Sequence, residues 1–248
     1  MPAGVRGGQM QVDWLSCYIR PRDPSYHGNR IWEPARYLRL SPDGEVESEK
    51  PTLTPVAGSH DSRLTWGSST GNELYVSGNP VKFIQGHNLF GSDHYLALLA
   101  SVGSQCRVNG SMPFPGIATW QRYDFVTTPT RLDITRSYRF SDQTQAEQWL
   151  TAVAAVAHAS RLKKDTRHTG TVYFGLHSRR WSMKIYLKHP EILSRSKQHR
   201  LSGSLSRKDR RRLVEWSEGV VRFELTLRSL ELQRHNYAQL QPSNLLQL

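Results

Sequence analysis

The chain has 248 residues, 33 Lys and Arg against 21 Asp and Glu, a net charge of +12 and a pI near 10.0. Hydrophobic residues at 37% and aromatics at 10% argue against a disordered chain or a fibrous repeat, and leave material for one large or two small folded domains. The longest apolar stretches, residues 95–102 and 152–159, fall far short of the roughly 20 residues that span a bilayer, and the N-terminus shows no signal-peptide apolar region. The expectation is a basic protein that stays where it is made and engages no membrane. Cys17 and Cys106 stand far apart and outside any metal-ligand spacing, which predicts reduced thiols.

In chain order, Met1–Met10 is Gly-rich and reads as a flexible N-terminus, followed by one domain over residues 11–248. Gln11–Arg20 alternates as a strand. Tyr37–Glu47 reads as a hairpin turning at Ser41-Pro42-Asp43-Gly44. Arg63–Ser68, Glu73–Ser77 and Pro80–Ile84 read as three short strands of an antiparallel sheet. Ser92 caps a helix to about Val102, and Ser141 or Asp142 caps a second, Ala-rich helix to about Ala159. Arg131–Phe140, Thr171–Gly175, Met183–Lys188 and Val220–Leu227 read as strands. Pro190 suits the first turn of a helix, and Ser206–Gly219 is a basic helix closed by Gly219. Strands and helices mingle without regular βαβ spacing, so the fold class is α+β, a mainly antiparallel sheet with helices packed on one face.

The positive charge is concentrated. Residues 161–212 hold 16 Lys and Arg against three Asp and Glu, a net +13, so the remainder sums to −1. That concentration points to a polyanionic partner, with nucleic acid ahead of membrane because no basic amphipathic helix carries an exposed aromatic face.

Strand periodicity sharpens this. A period of two places Arg131, Asp133 and Thr135 on one side of their strand and Leu132 and Ile134 on the other. The same split puts Arg222, Glu224 and Thr226 opposite Phe223 and Leu225, and Lys184, Tyr186 and Lys188 opposite Ile185 and Leu187. For any single strand this is an ordinary half-buried sheet. Together, the carboxylates Asp133, Glu224 and Glu191 suit a hard divalent cation, and a lysine beside a tyrosine can orient a phosphate and favour the phenolate.

Four ordered segments carry a resemblance: Pro80-Val81-Lys82-Phe83-Ile84-Gln85-Gly86-His87-Asn88-Leu89-Phe90-Gly91, Thr130-Arg131-Leu132-Asp133, Tyr186-Leu187-Lys188-His189-Pro190-Glu191 and Gly219-Val220-Val221-Arg222-Phe223-Glu224. They are similar to the signature blocks of the filamentous-phage gene II replication initiators, the phage/plasmid replication II/X family. The Arg-Leu-Asp, Tyr-x-Lys-x-x-Glu and Arg-Phe-Glu elements also resemble the initiators of staphylococcal rolling-circle plasmids, which are metal-dependent tyrosine nickases. The resemblance implies an HUH-like nickase fold and a rolling-circle initiator that cuts one strand of a phage or plasmid origin through a 5′-phosphotyrosyl intermediate and can rejoin the displaced strand. It implies Mg²⁺ or Mn²⁺ as cofactor, origin DNA as partner, single-stranded or supercoiled, with a host helicase and polymerase recruited, and the bacterial host cytoplasm as location. Longer family members continue into a C-terminal region beyond the length seen here.

The residue roles follow from that resemblance. Tyr186 is the nucleophile, with Tyr173 as its rival, and Lys188 contacts the scissile phosphate. Asp133, Glu224, Glu191 and His87 are the metal-ligand candidates, each with a plainer alternative: ion pairs with Arg131 or Arg222 for the first two, helix-dipole stabilisation for Glu191, and a structural turn for His87. No His-x-His occurs among the ten histidines, and Asp133-Ile134-Thr135 stands in the corresponding strand. Arg179, Arg180 and Trp181 combine charge with a stacking surface, and Lys184, Arg210, Arg211 and Arg212 extend the DNA-binding set. The runner-up function is a non-cleaving DNA-binding replication or repressor module on the same fold.

Overall fold

The computed structural model describes residues 5–21, 36–58, 60, 62–108, 125–156, 164–165, 170–194 and 201–235. Eleven strands and six helices alternate irregularly along these segments. The strands are β1 (Arg6–Pro21), β2 (Arg36–Leu40), β3 (Val46–Pro51), β4 (Thr54–Ala57), β5 (Arg63–Gly67), β6 (Leu74–Gly78), β7 (Phe125–Arg139), β8 (Lys164–Asp165), β9 (Thr171–Phe174), β10 (Trp181–Leu187) and β11 (Val220–Arg228). The helices are α1 (Pro80–Gln85), α2 (Tyr95–Val108), α3 (Gln143–Val156), α4 (Lys188–Leu193), α5 (Arg207–Ser217) and α6 (Ser229–Arg234). Among the described residues no helix is long and apolar enough to cross a membrane.

Nine strands form one sheet in the order β4-β5-β6-β1-β7-β11-β10-β9-β8, with every pairing antiparallel, and β2 and β3 form a separate hairpin. The α+β class expected from the sequence is the one observed. The hairpin turns at Ser41-Pro42-Asp43-Gly44 as read, with the Ser41 Oγ accepting from the Glu45 N–H at 3.1 Å.

Two readings change. The first strand starts at Arg6, so residues 6–10 are part of the sheet and pair with the far end of β7, Arg6 opposite Arg139. Pro80–Ile84 is helix rather than strand. The Asn79 side chain accepts the Lys82 N–H at 2.8 Å, Pro80 supplies the preset φ of a first helical turn, and Gly86 at φ +79° closes the helix in a left-handed conformation. A five-residue apolar run has no decisive period, and the two caps settle the conformation.

Alternation gives the sheet two unlike faces. On one, Leu15, Cys17, Ile19, Leu132, Ile134 and Leu227 pack with Phe83 of α1 and Leu98, Leu99 and Val102 of α2. Farther along the same face, Val172, Ile185, Leu187 and Val221 pack with Ala146 and Leu150 of α3, which Asp142 caps through the Gln145 N–H at 2.8 Å. Both cysteines are buried and unpaired, and burial raises Cys17 to about 12 and Cys106 to about 11, so neither is a reactive thiolate.

The other face carries the polar residues. Cross-strand register aligns Tyr173, Lys184, Glu224 and Thr135 in one row, Tyr186, Arg222 and Ser137 in a second, and Ser182, Thr226, Asp133 and Trp14 in a third. This face is partly roofed. Arg222, fully buried, donates to the carbonyls of Asn88 (2.6 Å) and Leu89 (3.0 Å) and to Ser137 Oγ (3.1 Å), which draws the segment after α1 over the sheet. Leu89 then packs with Ile192 of α4 and Leu213 of α5, so these two helices stand on the polar side while α1, α2 and α3 cover the apolar one, which corrects the expectation of helices on one face. Gly219, at φ +67°, makes the turn from α5 into β11; a Cβ there would meet the Phe140 carbonyl at 3.1 Å.

Candidate active site

Tyr186 lies at the centre of the polar face, under the roof that Arg222 holds. It is 3% exposed, and its hydroxyl donates to Glu224 Oε2 at 3.2 Å. Lys184 Nζ sits 4.0 Å from the centroid of the Tyr186 ring and 3.8 Å from the same Glu224 oxygen. The lysines were expected to favour the phenolate. Instead burial, followed by the charges of Glu191 and Glu224, pushes the Tyr186 hydroxyl well above its ordinary range, and Arg222 opposes this only in part. The resting tyrosine is therefore a neutral phenol with an acceptor already in place.

Lys188 does not face outward. It is 1% exposed and holds Glu191 Oε2 at 2.6 Å and Asn88 Oδ1 at 3.1 Å. Burial and the nearby Arg222 lower it to about 8, against the pull of Glu191. The phosphate contact expected of it does not fit this placement: as the first residue of α4 it is turned under the roof, where it positions Glu191. Lys184, half-buried above the ring, is the better-placed cation.

Asp13 joins this cluster without having been singled out in the sequence. The β1–β7 register shifts between Val12 and Trp14, which makes Asp13 the extra residue of a bulge and re-aims its side chain. Its Oδ1 accepts from the amides of Asn79 (3.0 Å) and Asn88 (2.8 Å). An acidic residue inside the apolar run Val12-Asp13-Trp14-Leu15 was the available signal.

Glu224 feels the whole cluster. Burial raises its proton affinity, Lys184 lowers it, and the charges of Asp13, Asp133 and Glu191 raise it again. Asp133, by contrast, is claimed by Arg131 through two bonds, 2.9 and 2.6 Å, so the ion-pair alternative is the one formed and its metal role is not supported. Glu224 pairs with Lys184 rather than Arg222.

His87 stands at the edge of the site, its Nδ1 3.4 Å from the Gln85 amide and its ring edge-on to Phe90. Burial, then the charges of His60, Lys188 and Arg222, lower it to about 4, so it is neutral at pH 7. Its folded pKa lies below the unfolded value, so protons bind the unfolded chain preferentially between about pH 6.5 and 4, and stability falls as pH drops through that window. His87→Gln is expected to flatten the acid side of the stability curve, read from urea midpoints at pH 7, 5.5 and 4.5; an unchanged difference between parent and variant across the series would contradict this.

The carboxylates of this cluster are the oxygen donors that a hard divalent cation takes. Among the described residues no three His, Cys, Asp or Glu side chains gather closely enough to ligate one ion. Asp13 Oδ2 and Glu224 Oε1, however, enter no hydrogen bond or ion pair among the described residues, and their two carboxylates repel one another. Mg²⁺ commonly takes one or two carboxylates and completes its shell with water and substrate phosphate, so the donor set fits such an ion.

The DNA-binding candidates scatter. Arg180 is tied to Glu231 of α6 at 2.7 Å. Trp181 shares the parity of Ile185 and packs between the two apolar clusters, so it offers no stacking surface on the Tyr186 side. Arg210, Arg211 and Arg212 are exposed on α5, with Arg211 paired to Glu215 at 2.8 Å and Arg210 Nε donating to the Leu205 carbonyl at 3.1 Å. Arg179 is exposed at the β9–β10 turn. His189 meets Ser217 at 2.9 Å. Tyr173, half-buried, shares the polar face as the cross-strand neighbour of Lys184.

Residues 11–245 match the family described as replication-associated protein G2P, N-terminal. The chain belongs to this family. Over 233 residues it is 34% identical to the replication-associated protein G2P of Enterobacteria phage I2-2, a match that takes in 89% of this chain and 63% of that protein. The chain thus spans a little under two thirds of the length of that G2P relative. A solved rolling-circle replication initiator from Geobacillus stearothermophilus aligns with 95% of this G2P-family chain and 79% of its own, at 14% identity and a TM-score of 0.39.

Proposed function

We propose that the chain initiates rolling-circle replication by nicking one strand of its origin, with Tyr186 as nucleophile. The observation that carries this reading is the Tyr186–Glu224 hydrogen bond within a cluster of carboxylates and lysines on one face of the sheet, in a chain of the G2P family. Tyr186 Oη attacks the scissile phosphorus in line while its proton passes to Glu224 Oε2. The bond from phosphorus to the 3′ oxygen breaks, that oxygen takes a proton from solvent water and leaves as a 3′-OH, and the 5′-phosphate stays on the tyrosine. Glu224 Oε2 accepts the phenolic hydrogen bond at rest, so the base is in place before attack. Lys184 neutralises charge on the attacked phosphate, and Lys188 holds Glu191 and Asn88 in place.

Mg²⁺ or Mn²⁺ would be held by Asp13 and Glu224 and would polarise the phosphate. Reversal of the transesterification rejoins the ends, since the phosphodiester energy is kept in the tyrosyl link. The free 3′-OH suits extension by a host polymerase behind a host helicase in the bacterial cytoplasm.

The test is conversion of a supercoiled plasmid carrying the cognate origin to nicked circle. Nicking with Mg²⁺, its loss in EDTA, and protein covalently bound to the product are expected; bound but uncut plasmid in Mg²⁺ would instead favour a non-cleaving binding module. A second assignment within the same reaction has one observation in its favour: Tyr173 is more exposed than Tyr186 and lies beside Lys184 on the same face.

A further inference from the structure

We infer that the DNA strand leading to the nick lies in the open groove beside Arg131 and Arg228, with Trp14 and Tyr75 as its aromatic floor, rather than along α5; this rests on the nicking function proposed above. The groove has a volume near 760 Å³ and is walled by β1, β6, β7, β11 and the β9–β10 turn. It continues the polar face past the Asp133 row. Arg228 stands six residues along β11 from Arg222, the cross-strand neighbour of Tyr186, about 20 Å at the rise of a β-strand. That is about six nucleotides at the 3.4 Å spacing of a stacked strand.

Three features mark the groove as built for a polyanion with bases. First, Arg131 and Arg228 are directly opposite one another on adjacent strands, an arrangement that repels unless an anion lies between. Arg131 is met by Asp133, but Arg228 Nη1 is buried and has no hydrogen-bond partner among the described residues. Second, the Arg131 guanidinium stacks 5.2 Å from the Trp14 ring centroid, and Tyr75 leans on Tyr18 at 5.0 Å, so the floor has two anchored aromatic groups beside the cations. Aromatic rings beside a basic track are how single strands are held without regard to sequence. Third, the exposed Arg179 closes the groove at the β9–β10 turn, which gives that residue the DNA role its sequence position suggested.

The probe is a fluorescein-labelled oligothymidylate of 12 nucleotides, titrated at several salt concentrations. Arg179→Gln and Arg228→Gln are each expected to lower the slope of log affinity against log salt by about 0.7, the value of one released phosphate contact on a single strand. Arg39→Gln, on the β2–β3 hairpin, removes the same charge and should leave the slope unchanged. Photocrosslinking the unaltered protein to the same oligomer bearing 5-iodouracil guards against misfolded variants, and adducts at Trp14 or Tyr75 are expected. Unchanged slopes in both groove variants, or adducts confined to α5, would overturn the groove assignment while leaving the nicking function intact. Failure of the unaltered protein to bind the oligomer at any salt, with no nicking of the plasmid, would count against the function itself.

Discussion

Tyr186→Phe is expected to remove origin nicking, with a loss of at least about 10⁴-fold in single-turnover rate, the order seen when a nucleophile is deleted. Affinity for origin DNA should stay within about twofold, because the ring keeps its place over β10 and beneath Lys184. Stability should fall by about 1 kcal/mol, the worth of the lost bond to Glu224. Glu224→Gln separates the acceptor from the nucleophile. It keeps the shape of the site, but an amide cannot take the phenolic proton, and a loss of about 10²- to 10⁴-fold follows. A parent-like rate in Tyr186→Phe would end its assignment as nucleophile.

The second large effect is on the fold. Arg222→Met should destabilise the protein by about 3–5 kcal/mol, since it strips a fully buried guanidinium from three acceptors, leaving the Leu89 carbonyl without that donor and the Asn88 carbonyl with the Gln11 amide alone. The loss propagates. Asn88 also holds Asp13 and Lys188, so freeing the Asn88–Leu89 segment loosens the roof over Tyr186 and exposes the cluster beneath. Denaturant unfolding checks the magnitude, and proteolysis within residues 86–92 checks the location. A change under about 1 kcal/mol would mean that the roof is held by the Leu89–Ile192–Leu213 contacts instead.

What was legible in the sequence, and what was not, follows from the range of the signals. Side-chain alternation is local, so Asp133, Glu224 and Tyr186 could be put on one face of their strands, and the observed register keeps them there. The same parity places Trp181 with Ile185 on the core side, which its basic neighbours Arg179 and Arg180 obscured. Asp13 required knowledge of a bulge, a property of the β1–β7 pairing rather than of β1 alone. Lys188 and Arg222 carry polar parity, yet both are buried because the Asn88–Leu89 segment, far away in sequence, crosses above them. The basic helix α5 was readable from its Ser206 cap, although Glu218 caps its C-terminus and Gly219 makes the turn beyond, but charge density alone could not separate a solvated helix face from a DNA path.

The most direct test of the account is to identify the tyrosine that becomes attached to DNA. Nicking of a ³²P-labelled origin strand in Mg²⁺, nuclease trimming, tryptic digestion and sequencing of the labelled peptide should place the phosphotyrosine at Tyr186. Label at Tyr173 would contradict the central claim and move the nucleophile to the more exposed position on the neighbouring strand.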